Sequence, residues 1–187
     1  MTHTNDFLVS PNPSDPRLTE RVVGIAHDGS RIETSVTVER PLTLYLNGRE
    51  IVTMMTIGDY PEYLALGYLL NQNMLSMDEE VLGVEYEEDI ETVVVRTATE
   101  TNFEDKLKKK TLTSGCAQGT VFGDVLEKFV DVVLPKGTII KASWLYALTK
   151  QINTVPSLYL EAGAIHGCAL YEKNKPLLYM EDVGRHN

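Results

Sequence analysis

The chain has 187 residues, of which 43% are hydrophobic and 24% charged, and its formal net charge at pH 7 is −10. This composition is ordinary for a globular protein with a core, and the acidic balance excludes broad nucleic-acid binding, which needs a basic face. No apolar run is long enough to span a membrane, so we expect no membrane insertion. Because the sequence has only two cysteines, it is no disulfide scaffold, and we expect free thiols in the cytoplasm.

The first part of the chain predicts a flexible tail followed by an α+β unit. Residues 1–18 contain three prolines among polar residues and show no apolar periodicity, which is typical of a flexible segment. Apolar runs flank Asn47-Gly48, a pair that strongly favours a β-hairpin turn. A helix is then predicted to begin at Pro61, followed by two strands, residues 81–86 and 91–96. We therefore assign residues 19–110 to an N-terminal α+β unit.

The next feature is a loop rich in glycine and hydroxyl groups, Thr111–Thr120, which carries Cys116. Apolar residues at helical spacing run from Gly119 to Val133, so the sequence predicts that Cys116 lies at the amino end of a helix. Partial positive charge and free N–H donors at that end lower the pKa of a thiol, and the thiolate is its reactive form. The loop therefore suits a nucleophilic or sulfur-carrying cysteine. The alternative is a small buried residue that packs at a helix start.

The last part of the chain predicts a short strand, a helix and a β-hairpin. The strand covers residues 138–140, and Ser143 is expected to cap a helix that ends near residue 154. Two further strands follow, joined by a turn at 172–176. Cys168 lies in an apolar strand pattern, and we expect it in the core.

Two groups near the end of the chain are candidates for binding an anion. His166 follows a turn of small residues and is suited to proton transfer, to a phosphate contact or to a purely structural role. In the final heptapeptide, Glu181–Asn187, the pair Arg185-His186 could hold a phosphate through charge-assisted hydrogen bonds. Alternatively, Asp182 caps a helix and pairs with Arg185. Since no helix follows this motif, we expect the chain to be a truncated part of a longer protein.

Three stretches together resemble the formate dehydrogenase accessory proteins, the FdhD sulfurtransferase family. They are Glu39–Leu42 with Asn47-Gly48 and the helix around Tyr63–Leu69, the loop Thr113–Cys116, and Ala162–His166 followed by Glu181–Asn187. The resemblance implies an α/β protein, with the α+β N-terminal unit followed by a three-layer domain similar to cytidine deaminases. That second domain would comprise residues 111–187 and be incomplete at its C-terminus.

The resemblance also implies a function. Members of the family take sulfur as a persulfide from a cysteine desulfurase and transfer it to the molybdenum bis-guanine-dinucleotide cofactor of formate dehydrogenase, and they are thought to act as homodimers. The position matching their sulfur-carrying cysteine is Cys116, and the motifs assign cofactor binding to His166, Arg185 and His186. The cofactor is a transient ligand, and the formate dehydrogenase apoenzyme is a further partner.

Two alternatives remain open beside this interpretation. Some family members have two cysteines in the loop, but here the second position is Gly119, so the protein could be a non-catalytic cofactor-binding chaperone of formate dehydrogenase. A zinc-dependent hydrolase of the deaminase type is the other alternative. It lacks support because the His-x-Glu and Cys-x-x-Cys signatures are both absent, and we expect no bound metal.

Overall fold

A computed structural model describes residues 7–98, 110–112, 120–122, 133–185 and 187, with only the backbone described for 110–112 and 120–122. The described strands are β1 (Thr19–Ile25), β2 (Arg31–Thr37), β3 (Arg40–Leu46), β4 (Arg49–Thr56), β5 (Val81–Glu87), β6 (Thr92–Thr97), β7 (Lys110–Leu112), β8 (Thr120–Phe122), β9 (His166–Glu172) and β10 (Lys175–Asp182). The described α-helices are α1 (Pro61–Asn71), α2 (Ala142–Ile152) and α3 (Leu158–Ala162), and a 3-10 turn spans Glu88–Ile90. Within these ranges, no helix is both long and apolar enough to span a membrane.

The described residues form two compact units. One, which we call the sheet unit, contains residues 40–98, 110–112, 120–122, 133–134 and 187; the other, the hairpin unit, contains 7–39 and 135–185. These units do not follow the predicted boundaries after residues 18 and 110. The hairpin unit is discontinuous in sequence because the N-terminal segment packs with the last two strands.

The sheet unit is built on four strands in the order β4-β3-β6-β5. β3 and β6 are parallel, whereas the other neighbouring pairs are antiparallel. The predicted hairpin turn is confirmed: Asn47 and Gly48 connect β3 to β4 with positive φ angles of 48° and 79°. Helix α1 packs on the sheet, and the core consists of the apolar residues Leu42, Leu44, Leu46, Ile51, Met54, Ala65, Leu69, Met74, Leu75, Val93 and Val95.

The hairpin unit combines two antiparallel strand pairs, β1–β2 and β9–β10, with α2 and α3. Its N-terminal segment pairs with β10, since the amide of Leu8 donates to the carbonyl of Leu177 and Val9 forms a parallel bridge with Leu178. Phe7 is buried in a cluster with Val155 and Tyr179. The prediction of a flexible tail is therefore wrong from Phe7 onward, because an aromatic side chain fixes the segment to the hairpin.

The β9–β10 hairpin has one covered face and one exposed face. The covered face carries Tyr179 and Glu181, both buried. The other face carries three residues of β9 that are all exposed, and each lies opposite a residue of β10: His166 opposite Asp182, Cys168 opposite Met180, and Leu170 opposite Leu178. We call this second surface the exposed hairpin face. The side chains of one strand alternate between the two faces, which is the ordinary period of a strand.

The predicted mixed α/β class is confirmed, while one predicted element is wrong. Residues 138–140 are not in a strand, and Ile139 and Ile140 are exposed. Two adjacent β-branched residues favour an extended backbone, but a strand also needs a partner for its hydrogen bonds. Helix α2 begins at Ala142, so Ser143 lies inside the helix rather than capping it.

Candidate functional site

Cys116 lies in sequence between the strands β7 and β8. These two short strands are antiparallel, with Lys110 opposite Phe122 and Leu112 opposite Thr120. Cys116 itself, like the rest of 113–119, lies outside the described residues, so its predicted role stays a prediction. The helix predicted from Gly119 is wrong in its first turn, because Thr120–Phe122 is a strand. The β-branched and aromatic residues of this segment favour a strand. Because no helix begins at residue 119, the argument that a helix start lowers the pKa of the Cys116 thiol no longer applies.

His166 and Asp182 face each other at the open end of the β9–β10 hairpin. His166 is the first residue of β9 and Asp182 the last of β10, and the two are cross-strand partners. His166 is an exposed residue. It comes shortly after Gly163 and Ala164, whose φ angles are both positive, 66° and 54°. The structure therefore brings together the two motifs that the sequence separates, the small-residue turn and the final heptapeptide.

After Asp182, the last residue of β10, the chain makes a tight turn. The Asp182 carboxylate accepts a hydrogen bond of 3.1 Å from the amide of Gly184, and Arg185 is exposed just beyond it. Asp182 thus organises the backbone that presents Arg185. His186 lies outside the described residues. Asn187 donates from Nδ2 to the carbonyl of Met55 in the sheet unit, at 2.9 Å.

Cys168 is exposed, so the prediction that it lies in the core is wrong. The apolar strand pattern around it was correctly recognised, but it does not say which face of a strand is covered. In the described structure β9 pairs with β10 alone, and Cys168 lies on the exposed hairpin face two residues from His166. Cys168 is therefore an accessible thiol in a chain with only two cysteines.

Glu181 is a functional candidate that sequence reasoning missed. Its side chain is buried, and its two carboxylate oxygens accept hydrogen bonds from the amide of Leu158 at 2.7 Å, the amide of Tyr159 at 3.3 Å and the hydroxyl of Tyr179 at 2.9 Å. These hydrogen bonds replace the ones that a buried carboxylate loses to water. The signal in the sequence was available: Glu181 is two residues from Tyr179, so both point to the same face of β10.

Tyr179 is buried between Glu181 and the start of β9. Burial, together with the hydrogen bond to Glu181, raises the pKa of Tyr179 above its usual range, so its hydroxyl stays protonated and donates to the carboxylate. On its other side, the tyrosine ring lies against Gly167. A Cβ atom at 167 would be 2.8 Å from the hydroxyl oxygen, which only a glycine avoids.

Among residues whose side chains are described, no group of three or more His, Cys, Asp and Glu is close enough together to hold a metal ion. Cys116, His166, Cys168 and His186 are the residues of the sequence that could in principle bind zinc together, and Cys116 and His186 lie outside the described residues. The described part of the site has three residues at the open end of the hairpin, His166, Asp182 and Arg185. Glu181 and Tyr179 are buried on its covered face.

A family model of the FdhD/NarQ family matches residues 37–187, which include the cysteine loop, His166 and the final heptapeptide. The chain belongs to the FdhD/NarQ family. Among curated proteins, it is similar to the sulfur carrier protein FdhD of Wolinella succinogenes, with 28% identity over 83% of this chain and 54% of that protein. The FdhD of Bacillus subtilis is also 28% identical, over 84% of this chain and 61% of the relative. This FdhD/NarQ chain thus spans somewhat more than half the length of these relatives.

The fold agrees with this assignment. A crystal structure of a protein from Desulfotalea psychrophila, proposed to be a formate dehydrogenase accessory protein, superposes with a TM-score of 0.61 and 18% sequence identity. The match covers 90% of this chain and 62% of that one. At this identity the similarity establishes a shared fold, and the mixed α/β architecture of this FdhD/NarQ chain is that of its structural neighbour.

Proposed function

We propose that this chain carries sulfur as a persulfide on Cys116 and transfers it to the molybdenum bis-guanine-dinucleotide cofactor during formate dehydrogenase maturation. The observation that carries the proposal is the family match over residues 37–187, which spans every residue assigned to the site. The curated relatives named as sulfur carriers support the same activity. The protein would act in the cytoplasm as a homodimer, with a cysteine desulfurase and the formate dehydrogenase apoenzyme as partners.

The loading step is a thiol–persulfide exchange. The Cys116 thiolate attacks the outer sulfur of the desulfurase persulfide, the S–S bond of the donor breaks, and the donor cysteine leaves as a thiolate. No external oxidant is needed, because the outer sulfur moves without a net change in oxidation state. Two glycines, Gly115 directly before Cys116 and Gly119 three residues after it, would allow close approach of the donor.

In the delivery step the S–S bond of the Cys116 persulfide breaks and Cys116 leaves as a thiolate. The outer sulfur would pass to the molybdenum as sulfide, and a reduced metal centre would supply the two electrons that this reduction of sulfur needs. The phosphates of the cofactor would be held by His166, Arg185 and His186, of which His166 and Arg185 are exposed and able to reach a large anionic ligand.

The test is the intact mass of the protein after incubation with a cysteine desulfurase and cysteine. We expect the wild type to gain one sulfur atom and the Cys116→Ala variant to gain none. Cys168→Ala is the matched control, since it removes the other cysteine of the chain and leaves the loop intact. A gain that survives Cys116→Ala and disappears in Cys168→Ala would reject Cys116 as the carrier.

A second candidate function is non-covalent binding of the cofactor, as a chaperone of formate dehydrogenase. It is favoured by Gly119, which stands where some relatives have a second loop cysteine. The two functions separate in a maturation assay in cells. A Cys116→Ala variant that still supports formate dehydrogenase activity, while Arg185→Ala does not, would favour the binding function.

A further inference from the structure

Glu181 is a buried titratable group that the proposed sulfur chemistry does not use. Its residue is only 4% exposed, yet it lies in the same heptapeptide as Arg185 and directly beside Asp182. Three donors converge on its carboxylate, two from the backbone of α3 and one from Tyr179. A buried carboxylate without hydrogen-bond donors is costly, so the loss of any one of these three donors would destabilise the group.

One connection runs from Glu181 to His166 through Tyr179. The hydroxyl of Tyr179 donates to Glu181 Oε1 at 2.9 Å, which fixes the plane and position of the ring. The same ring lies against the backbone of Gly167, where a Cβ atom would be 2.8 Å from the hydroxyl oxygen and 2.9 Å from Cε2. Gly167 directly follows His166, so the tyrosine ring packs against the backbone next to the residue that carries the imidazole.

A second connection runs through α3. The amides of Leu158 and Tyr159, at the first turn of this helix, donate to the Glu181 carboxylate, so the helix is held to β10 at its start. The helix ends at Ala162, and three residues lead from there to His166. Gly163 and Ala164 have positive φ, and Ile165 is buried, so this connection is short and fixed at both ends.

We infer that Glu181 is a positioning residue that fixes where the His166 imidazole lies on the exposed hairpin face. The inference rests on the proposed function, which assigns His166 to the phosphates of the cofactor. Glu181 then acts on cofactor binding through His166 and touches no ligand itself. Sites of this kind depend on a rigid support behind the binding group, because small displacements of that group are costly.

The positioning role is tested by NMR of the histidine side chains in Glu181→Gln. Glutamine keeps the size of the side chain, but one of its two terminal atoms is a donor, so at least one of the three hydrogen bonds is lost. We expect the imidazole resonances of His166 to shift, while those of His27 stay unchanged. Glu161→Gln is the control, since this exposed glutamate also lies on α3 but accepts a 3.2 Å hydrogen bond from the Ser35 hydroxyl and none from the donors on Glu181.

If Glu181→Gln fails to fold, Tyr179→Phe provides the second variant. It removes one hydrogen bond and leaves both backbone donors on the carboxylate. A shift of the His166 resonances in either folded variant supports the inference. Resonances of His166 that match the wild type in every folded variant would overturn it.

The functional test is a double-mutant cycle on formate dehydrogenase activity in cells that lack their own accessory protein. We expect Glu181→Gln to lower activity by up to about 100-fold, as misplacement of a binding group can, and to have no further effect in a His166→Ala background. Independent, multiplicative effects of the two substitutions would overturn the role through His166. If the wild-type chain gives no activity, the proposed function fails, and the NMR measurement still decides the positioning role.

Discussion

The hydroxyl of Tyr179 lies so close to the backbone of Gly167 that a Cβ atom there would be 2.8 Å from its oxygen. The Tyr179 hydroxyl also donates to Glu181, so moving the ring aside would break that hydrogen bond. We predict that Gly167→Ala lowers the free energy of unfolding by about 1–3 kcal/mol, as overpacking does in a closed site. Urea denaturation followed by circular dichroism measures this.

The control for this prediction is Gly24→Ala in β1 of the same hairpin unit. There the nearest atom to an added Cβ would be Ile32 Cγ1 at 3.5 Å, an ordinary contact. A Gly167→Ala variant as stable as Gly24→Ala would show that the ring of Tyr179 is free to shift.

The second prediction concerns alkaline pH and Tyr86. Burial and a 2.7 Å hydrogen bond to Glu91 raise the pKa of Tyr86 to about 12, from about 10 in the unfolded chain. Between these values the unfolded state binds fewer protons than the folded state, so stability falls as the pH rises. The contribution of Tyr86 is complete below about pH 10 and is lost towards pH 12.

We expect the urea midpoint of Tyr86→Phe to fall less between pH 9 and 11.5 than that of the wild type, since phenylalanine does not titrate. Tyr146→Phe, at an exposed residue, should behave as the wild type. A wild-type-like slope in Tyr86→Phe would contradict the assigned pKa.

The third prediction follows from the exposed position of Cys168. In a Cys116→Ala background, the single remaining thiol should react with a soluble maleimide in the native protein at about the rate of an unfolded control. Mass spectrometry gives the number of labels, and the double variant Cys116→Ala/Cys168→Ala gives the background. Protection of Cys168 until urea is added would mean that its face is covered in solution.

The fourth prediction concerns Asn47 in the turn between β3 and β4. Its side chain bridges to Thr97 through two hydrogen bonds, Nδ2 to Oγ1 at 2.8 Å and Oδ1 from the Thr97 amide at 2.9 Å, and its φ is 48°. We expect Asn47→Ala to lower the free energy of unfolding by about 1–3 kcal/mol, because the bonds are lost and alanine tolerates this φ less well. Asn47→Asp is the comparison, since it keeps an acceptor for the Thr97 amide.

The sequence predicted those parts of the fold that depend on neighbouring residues. The Asn47-Gly48 hairpin, the helix at Pro61 and the strands on either side of the 3-10 turn follow from turn chemistry and local periodicity. The strand that follows the cysteine loop was missed because its apolar residues also fit a helical stripe.

What the sequence did not predict depends on contacts between distant segments. The burial of Phe7 requires the hairpin at the other end of the chain, and the exposure of Cys168 depends on which face of β9 is covered. Glu181 was missed for the same reason: its partners at Leu158 and Tyr159 are brought to it by the fold. For the site, the sequence indicated His166 and the final heptapeptide as motifs. It did not indicate that Glu181, the first residue of that heptapeptide, is buried behind His166.

The parallel bridge between Val9 and Leu178 joins residues from the two ends of the chain. During synthesis on a ribosome, Phe7 and Val9 emerge long before Leu178, so they have no strand partner until β10 has been made. The sheet unit lies between them in sequence and can close its own core in the meantime. The hairpin unit is therefore unable to close before β10 has emerged, and His166 reaches its place only at that stage of synthesis.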